Sequence, residues 1–539
     1  MVTERILRAA LLVALGYSAG CSADDSAAEG RAYAPGGAGA GNHSADGANS
    51  AGSGAAAPSG ELPPEVELDQ SFRAPVATGK LLWTANPDSG RVALIDAQTL
   101  AVRMTNAGFG PTYLAAVPSK KGIDSAIVLN VGSHDASWFK ASANEISAVT
   151  IATHVGANAW SVSADGKYAI AWTDATRVEG TPDLLNGYSE LTVIDLSASP
   201  PSSTRLSVGF RPSKVVFDAA IEHAFAVVDE GISVIELGEN PRLSALLAVS
   251  SANLTARARD VNIALDGAFA VVRVEGSPEV EIIDLASDAR QVLTLDSAVT
   301  DLDLSADGKT ATAVLGAAKP PAVVSFAVPN PGTEPAEFER ATIDGELVRS
   351  VTLAPDDRLA LLYANAVPSS HLTLLDTAPG ENHFGFRTLD VQGAVRGVWV
   401  APDSQTAVTF QTPPAGSKKR GMFSIVPTTE VRSPRIVGTD AEPAEIAFSQ
   451  AEMGKALVVV HDSNSATRGV YLIGLANLEQ NFVPLASSPI PGATGIVPEA
   501  KRGFIAQKHP EGRITFIDLE TGVAQTLSGF ELAARVVAR

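Results

Sequence analysis

One pattern recurs down most of the chain and limits the fold more than any other feature. It is a short strand, an Asp-Gly type of turn, a second strand, a connection, and a third strand that stops at Asp. SADGKYAIAW with ELTVID spans 163–195, LDGAFAVVRV with EVEIID closes at Asp284, and APDDRLALLY with HLTLLD closes at Asp376. In YAIAW, strand alternation sends Tyr168, Ile170 and Trp172 to one side and Ala169 and Ala171 to the other. Both faces are apolar, so both must be covered. LTVI at 191–194, AFAVV at 268–272 and LALLY at 359–363 have the same property.

Strands of this kind are usual in parallel sheets between helices. Here no helical pattern of useful length separates them, and the connections are short and rich in Gly, Pro, Asp and Ser. What remains is a row of small antiparallel sheets, each covering the next. The repeat of roughly 45 residues suits the four-stranded blade of a β-propeller. The expectation is an all-β chain of about ten such units, with leading strands near Tyr113, Trp160, Val215, Val261, Leu302, Val351, Val398, Ile446, Gly495 and Val536. A ring of seven or eight blades carrying insertions, and two smaller propellers in tandem, are the competing counts. The unit that begins at Lys80 lacks an obvious leading strand, and ELAARVVAR at 531–539 reads like one left over. This predicts that the C-terminal strand closes the ring within the first blade.

WTANPDSGRVALIDAQTLAV followed by GFGPTYLAAVPSKKG resembles the YVTN-type propeller repeat: a strand ending in Asn, a VxVID-like strand, a Thr-containing turn and a G-x-x-P step. GFRPSKVVF at 209–217 repeats that step. The resemblance implies architecture. It leaves the ligand open, because propellers include both binding proteins and enzymes.

The first twenty residues have the form of an export signal: Arg5 and Arg8, an apolar run from Ala9 to Leu15, then small residues. The run is too short for a permanent membrane span. Ser18-Ala19-Gly20 leads into Cys21, the one cysteine of the chain, and resembles the bacterial lipobox, with Ser18 where that family prefers Leu. The resemblance implies cleavage before Cys21, acylation of its thiol and, with Ser22 following, anchoring at the outer membrane. Several acyl chains together anchor stably where one does not. Residues 21–67 are Gly, Ala, Ser, Asp and Pro with almost no large apolar side chain, so they read as a flexible tether. Such a tether has a root-mean-square reach of about 35–40 Å. The expected organisation is 1–20 signal, 21–67 tether and 68–539 propeller.

A net charge of -20 argues against nucleic acid as a partner and against docking on an anionic leaflet. The strand-end residues Asp96, Asp195, Asp284, Asp376 and Asp518 sit where a carboxylate can accept backbone N–H groups two residues on, which makes them structural. TDLDLSADG, with Asp301, Asp303 and Asp307, imitates part of a calcium loop, but Ala306 occupies the place of the sharp-turn Gly and the downstream Glu is missing. No two of the eight histidines share a metal-ligand spacing, and there is no G-x-S-x-G, H-E-x-x-H, P-loop or dinucleotide fingerprint. No metal, cofactor or catalytic residue is therefore assigned.

Loop length carries the remaining signal. The connection between second and third strands reads as tight at 227–235 and long at 132–144, 173–188, 411–420 and 461–468. In an up-and-down blade these connections share one face of the disc, where a rigid scaffold presents binding residues. Trp138, Phe139, Lys140, Tyr188, Lys418, Lys419, Arg420, His461 and Arg468 form the candidate contact set. The function expected is that of a lipid-anchored, monomeric propeller head acting as a non-catalytic binding or scaffold module for a protein, peptide or glycan. A lactonase-like hydrolase or a quinone-dependent dehydrogenase with a site near the central channel is the alternative. A structural subunit of an envelope complex is a third reading.

Overall fold

The computed structural model describes residues 75–530, apart from 120–122, 144, 179–186, 250–258, 333–336, 430–431, 463–466, 486–489 and 510–511. Ten four-stranded antiparallel sheets follow one another, each built from four consecutive strands. Numbered in chain order, the blades span 76–106, 111–152, 159–207, 214–248, 259–294, 301–342, 350–390, 394–439, 443–484 and 491–528. Helical structure among the described residues is limited to single 3-10 turns such as Ala175–Arg177. None is long and apolar enough to cross a membrane.

The two-faced strands explain the assembly. Tyr168, Ile170 and Trp172 of blade 3 pack with Val215 and Ala226 of blade 4. Ala169 and Ala171, on the other face, pack with Ile127 and Trp138 of blade 2. The same division recurs at every sheet, so that each junction between neighbours encloses its own apolar core. Ring closure can be read from the last of these. Leu82 and Ile95 of blade 1 are buried against Val497, Phe504 and Phe516 of blade 10.

Nine of the ten expected leading strands lie where the sequence placed them. The tenth requires a correction. The inner strand of blade 1 is Val76–Thr78, paired antiparallel with Leu81–Trp83. Blade 1 therefore supplies its own leading strand, and the expected strand around Val536 lies outside the described residues, as do Cys21, the signal and the tether. Three residues, VAT, are too few to show a period, which is why the strand is not evident in the sequence.

The Asp-Gly turns do more than reverse the chain. In 163–167 the Gly166 N–H bonds the Ser163 carbonyl at 2.9 Å, and Gly166 takes the left-handed conformation with φ +70°. A Cβ there would overlap the carbonyl oxygen of Pro118 in the corresponding turn of blade 2. Gly308 likewise lies against Ala264 of blade 5, which a Cβ would meet at 2.7 Å. Each of these turns nests on its predecessor, so local turn chemistry also sets how adjacent blades dock. The strand-end aspartates behave as expected: Asp195 accepts the Ser197 N–H at 2.8 Å, Asp284 that of Ala286 at 3.0 Å and Asp518 that of Thr521 at 2.8 Å.

Candidate functional site: the loop-bearing face

Because strands alternate in direction, the second-to-third connections and the blade-to-blade connections lie at the same end of the sheets. Two contacts mark this shared face. Arg420 of the blade 8 connection pairs with Asp462 of the blade 9 connection at 2.9 Å. Arg211, between blades 3 and 4, donates its backbone N–H to the Tyr188 carbonyl at 2.7 Å. The described chain enters at residue 75 and leaves at 530 on this face, where the Gly529 N–H reaches the Gly512 carbonyl at 3.1 Å.

The candidate contact residues divide into three groups. Trp138, Phe139 and Lys140 are not in a loop: they belong to the third strand of blade 2, Asp135–Ala141, and the connection before it is a tight turn at 131–134. The Gly, Ser and Asp content of GSHDASWFKASAN suggests a loop, but its polar side chains are satisfied inside the sheet. Trp138 Nε1 donates to Ser125 Oγ at 2.8 Å, and Asn130 Nδ2 donates to Ser137 Oγ at 2.9 Å. Phe139 is fully buried, while Lys140 is exposed with Nζ 3.8 Å from the centre of the Trp138 ring. Tyr188 does lie in a long connection, yet it is buried, with its ring 6.2 Å from that of Phe210.

Lys418, Lys419 and Arg420 are exposed on the loop face. Lys419 pairs with Asp440 at 2.6 Å, so two of the three charges in this basic stretch are matched by neighbouring carboxylates. His461 and Arg468 flank the connection of blade 9 and are half-buried.

A residue outside that set has the most developed setting. Phe109, in the first G-x-x-P step, is 72% exposed. Its N–H donates to Ser133 Oγ at 3.0 Å, and its carbonyl accepts the Gly132 and Ser133 N–H groups at 3.0 and 3.1 Å. The ring lies over Gly132, where a Cβ would overlap it. The second such step holds Phe210 by analogous bonds, its N–H to the Glu230 carboxylate at 2.6 Å and its carbonyl to the Asp229 N–H at 2.8 Å, but Tyr188 and Arg211 cover that ring. The signal in the sequence was the G-x-x-P step itself, read above as architecture only.

Charge is concentrated where blades 5, 6 and 7 meet this face. Arg259, Arg273 and Arg349 are all buried. Arg273 lies 3.2 Å from Glu275 and 3.5 Å from both Asp260 and Asp301, and Arg349 lies 3.7 Å from Glu275. Asp301 and Asp303 also brace the inner strands, accepting the N–H groups of Val351 at 2.8 Å and Leu353 at 3.1 Å from the next blade. Asp307 sits in the following turn, where bonds from the Ser305 hydroxyl and the Lys309 N–H hold its carboxyl below the usual range. The three aspartates of the calcium-like stretch thus serve three separate backbone tasks. No group of three or more His, Cys, Asp or Glu side chains able to hold a metal ion occurs among the described residues.

No family model matches the chain, and no curated protein matches it either. Similar solved structures are numerous and distant. One titled as a eukaryotic initiation factor is 13% identical, covering 77% of this chain and 96% of that one, with a TM-score of 0.47. The dihydro-heme d1 dehydrogenase NirN is 11% identical, covering 87% of this chain and 77% of its own, with a TM-score of 0.40. Hydrazine synthase of Kuenenia stuttgartiensis is 13% identical over 48% of this chain and 76% of its own, with a TM-score of 0.30. At these identities the likeness is one of fold alone.

Proposed function

We infer that this chain is an envelope protein held by an acylated Cys21 and a flexible tether, whose ten-bladed head is a non-catalytic binding or scaffold module. It displays the loop-bearing face to a protein, peptide or glycan. The observation that carries the reading is Phe109: a large aromatic side chain, mostly exposed, on a backbone fixed by three hydrogen bonds. An aromatic group ordered in advance loses little freedom on binding, which is how interface anchors gain affinity. The chain enters the head on that same face, and a tether of this composition reaches about 35–40 Å, enough to leave room for a partner.

Two measurements test this. Cys21→Ser should abolish incorporation of labelled fatty acid and release the protein from membranes; continued labelling would sink the anchor. Photo-cross-linking side chains placed at Val131 and Lys418 should form discrete adducts in cells, while probes at Asp266 and Asp307 on the opposite face should not. Equal labelling from both faces, or none from either, would remove the binding-face assignment.

A further inference from the structure

The rims of the blades differ in a way that bears on self-association. An outermost strand exposes a row of backbone N–H and C=O groups, and proteins guard such edges with charge, proline, bulges or short length. Most outer strands here carry such a guard: Arg103 in Val102–Asn106, Arg205 in Ser202–Ser207, and Pro484 in Glu479–Pro484. Arg242–Ala248 has both a charge and a register shift between Val234 and Ile235 of its partner strand. The outer strand of blade 2, Ile146–Ala152, has none of these. It is seven residues long, ISAVTIA, and pairs with Asp135–Ala141 without interruption.

The register shows which groups point outward. Bonds from Ser142 N to the Glu145 carbonyl and from Thr153 N to the His134 carbonyl place the inward-bonded positions at 145, 147, 149, 151 and 153. The N–H and C=O groups of Ile146, Ala148, Thr150 and Ala152 therefore face solvent, and no hydrogen-bond partner for them falls among the described residues.

We propose that Ile146–Ala152 pairs antiparallel with the same strand of a second copy of this chain, about a two-fold axis through Val149. That register sets 148 opposite 150 and 146 opposite 152, so every outward donor and acceptor on both strands is matched. It brings the two Val149 side chains together as a non-hydrogen-bonded pair, the closer kind, and Val149 is 38% exposed in the single chain. It also sets Glu145 opposite Thr153 of the other copy, whose carbonyl holds the Arg205 guanidinium at 2.6 Å. At each end Glu145 thus faces the Arg205 of the other copy, with Arg103, which donates to the Ser142 carbonyl at 2.9 Å, alongside it. The net charge of -20 opposes contact only weakly, because repulsion beyond about 8 Å is screened at physiological salt. Antiparallel pairing turns the two discs over, and both loop-bearing faces stay open.

The test uses the full-length chain carrying Cys21→Ser, so that no acyl chain drives association. Sedimentation should show a monomer–dimer equilibrium with Kd between roughly 10 µM and 1 mM, as expected for a small interface. Val149→Lys and Thr150→Pro should each weaken it at least about tenfold, with the melting curve checked to confirm folding. Val292→Lys, at an exposed position on the outer strand of blade 5, should leave it unchanged. Glu145→Arg should weaken the dimer, and adding Arg205→Glu should restore it. A monomer throughout that concentration range, or a dimer indifferent to Val149→Lys, would overturn the proposal.

Discussion

His154 and Thr192 are locked together between blades 2 and 3: the Thr192 hydroxyl accepts the His154 backbone N–H at 3.0 Å and lies 2.9 Å from Nδ1 of the same residue. The other ring nitrogen, Nε2, lies 3.2 Å from Thr173 Oγ1, so each nitrogen of the ring has a hydroxyl partner. The ring is fully buried, and burial, aided by the positive charge of Arg205, lowers its pKa to about 4. The native state therefore binds fewer protons than the unfolded chain between about pH 4 and the ordinary histidine value of 6.5. Stability should be complete above that window and fall as pH drops through it, by about 3 kcal/mol in all. Denaturant midpoints measured across the window should show this slope, and His154→Gln should flatten it.

Gly166→Ala should cost about 2–4 kcal/mol, because a left-handed backbone and contact with Pro118 act together. Gly276 has φ +78° with nothing near its absent Cβ, so Gly276→Ala should cost only about 1 kcal/mol. Thermal melts of the two variants compare blade docking with backbone strain alone.

Arg273 is 6% exposed among the partly exposed Asp260, Glu275 and Asp301, and its removal takes a buried guanidinium away from all three. Arg273→Ala should lower stability by about 1–3 kcal/mol, through lost packing and charge-assisted hydrogen bonds. Arg242, paired with Glu236 on an exposed rim, offers the contrast: its replacement by Ala should cost less than about 1 kcal/mol. Urea unfolding of both variants makes the comparison.

Phe516→Ala at the junction of blades 10 and 1 should cost as much as Phe423→Ala at the junction of blades 8 and 9, about 3–5 kcal/mol each. A much smaller loss at Phe516 would mean that the ring is less tightly joined where its ends meet.

The blades were legible because their strands are apolar on both sides, a pattern that permits few folds, and residues such as Tyr168 and Ala169 divide between neighbours as alternation requires. The structural role of the strand-end aspartates was legible too, since an Asp at a reversal has local donors to accept. The face was harder. Trp138 and Phe139 read as loop residues because the serines around them are polar, and the partners that make Ser125 and Ser137 acceptable inside a sheet come from other strands. The setting of Phe109 is hidden in the sequence for the opposite reason: the room for its ring comes from Gly132, twenty-three residues away. Thr192 looked like one more strand residue, and only the fold brings His154 to it.

The first and last described residues, 75 and 530, lie on one side of the disc, and this has a practical consequence. A fluorescent protein or affinity handle inserted next to either of these two positions will shadow the surface that the cross-linking experiment must probe. New ends opened in the turn at 354–358, on the far side, would place such a label out of the way.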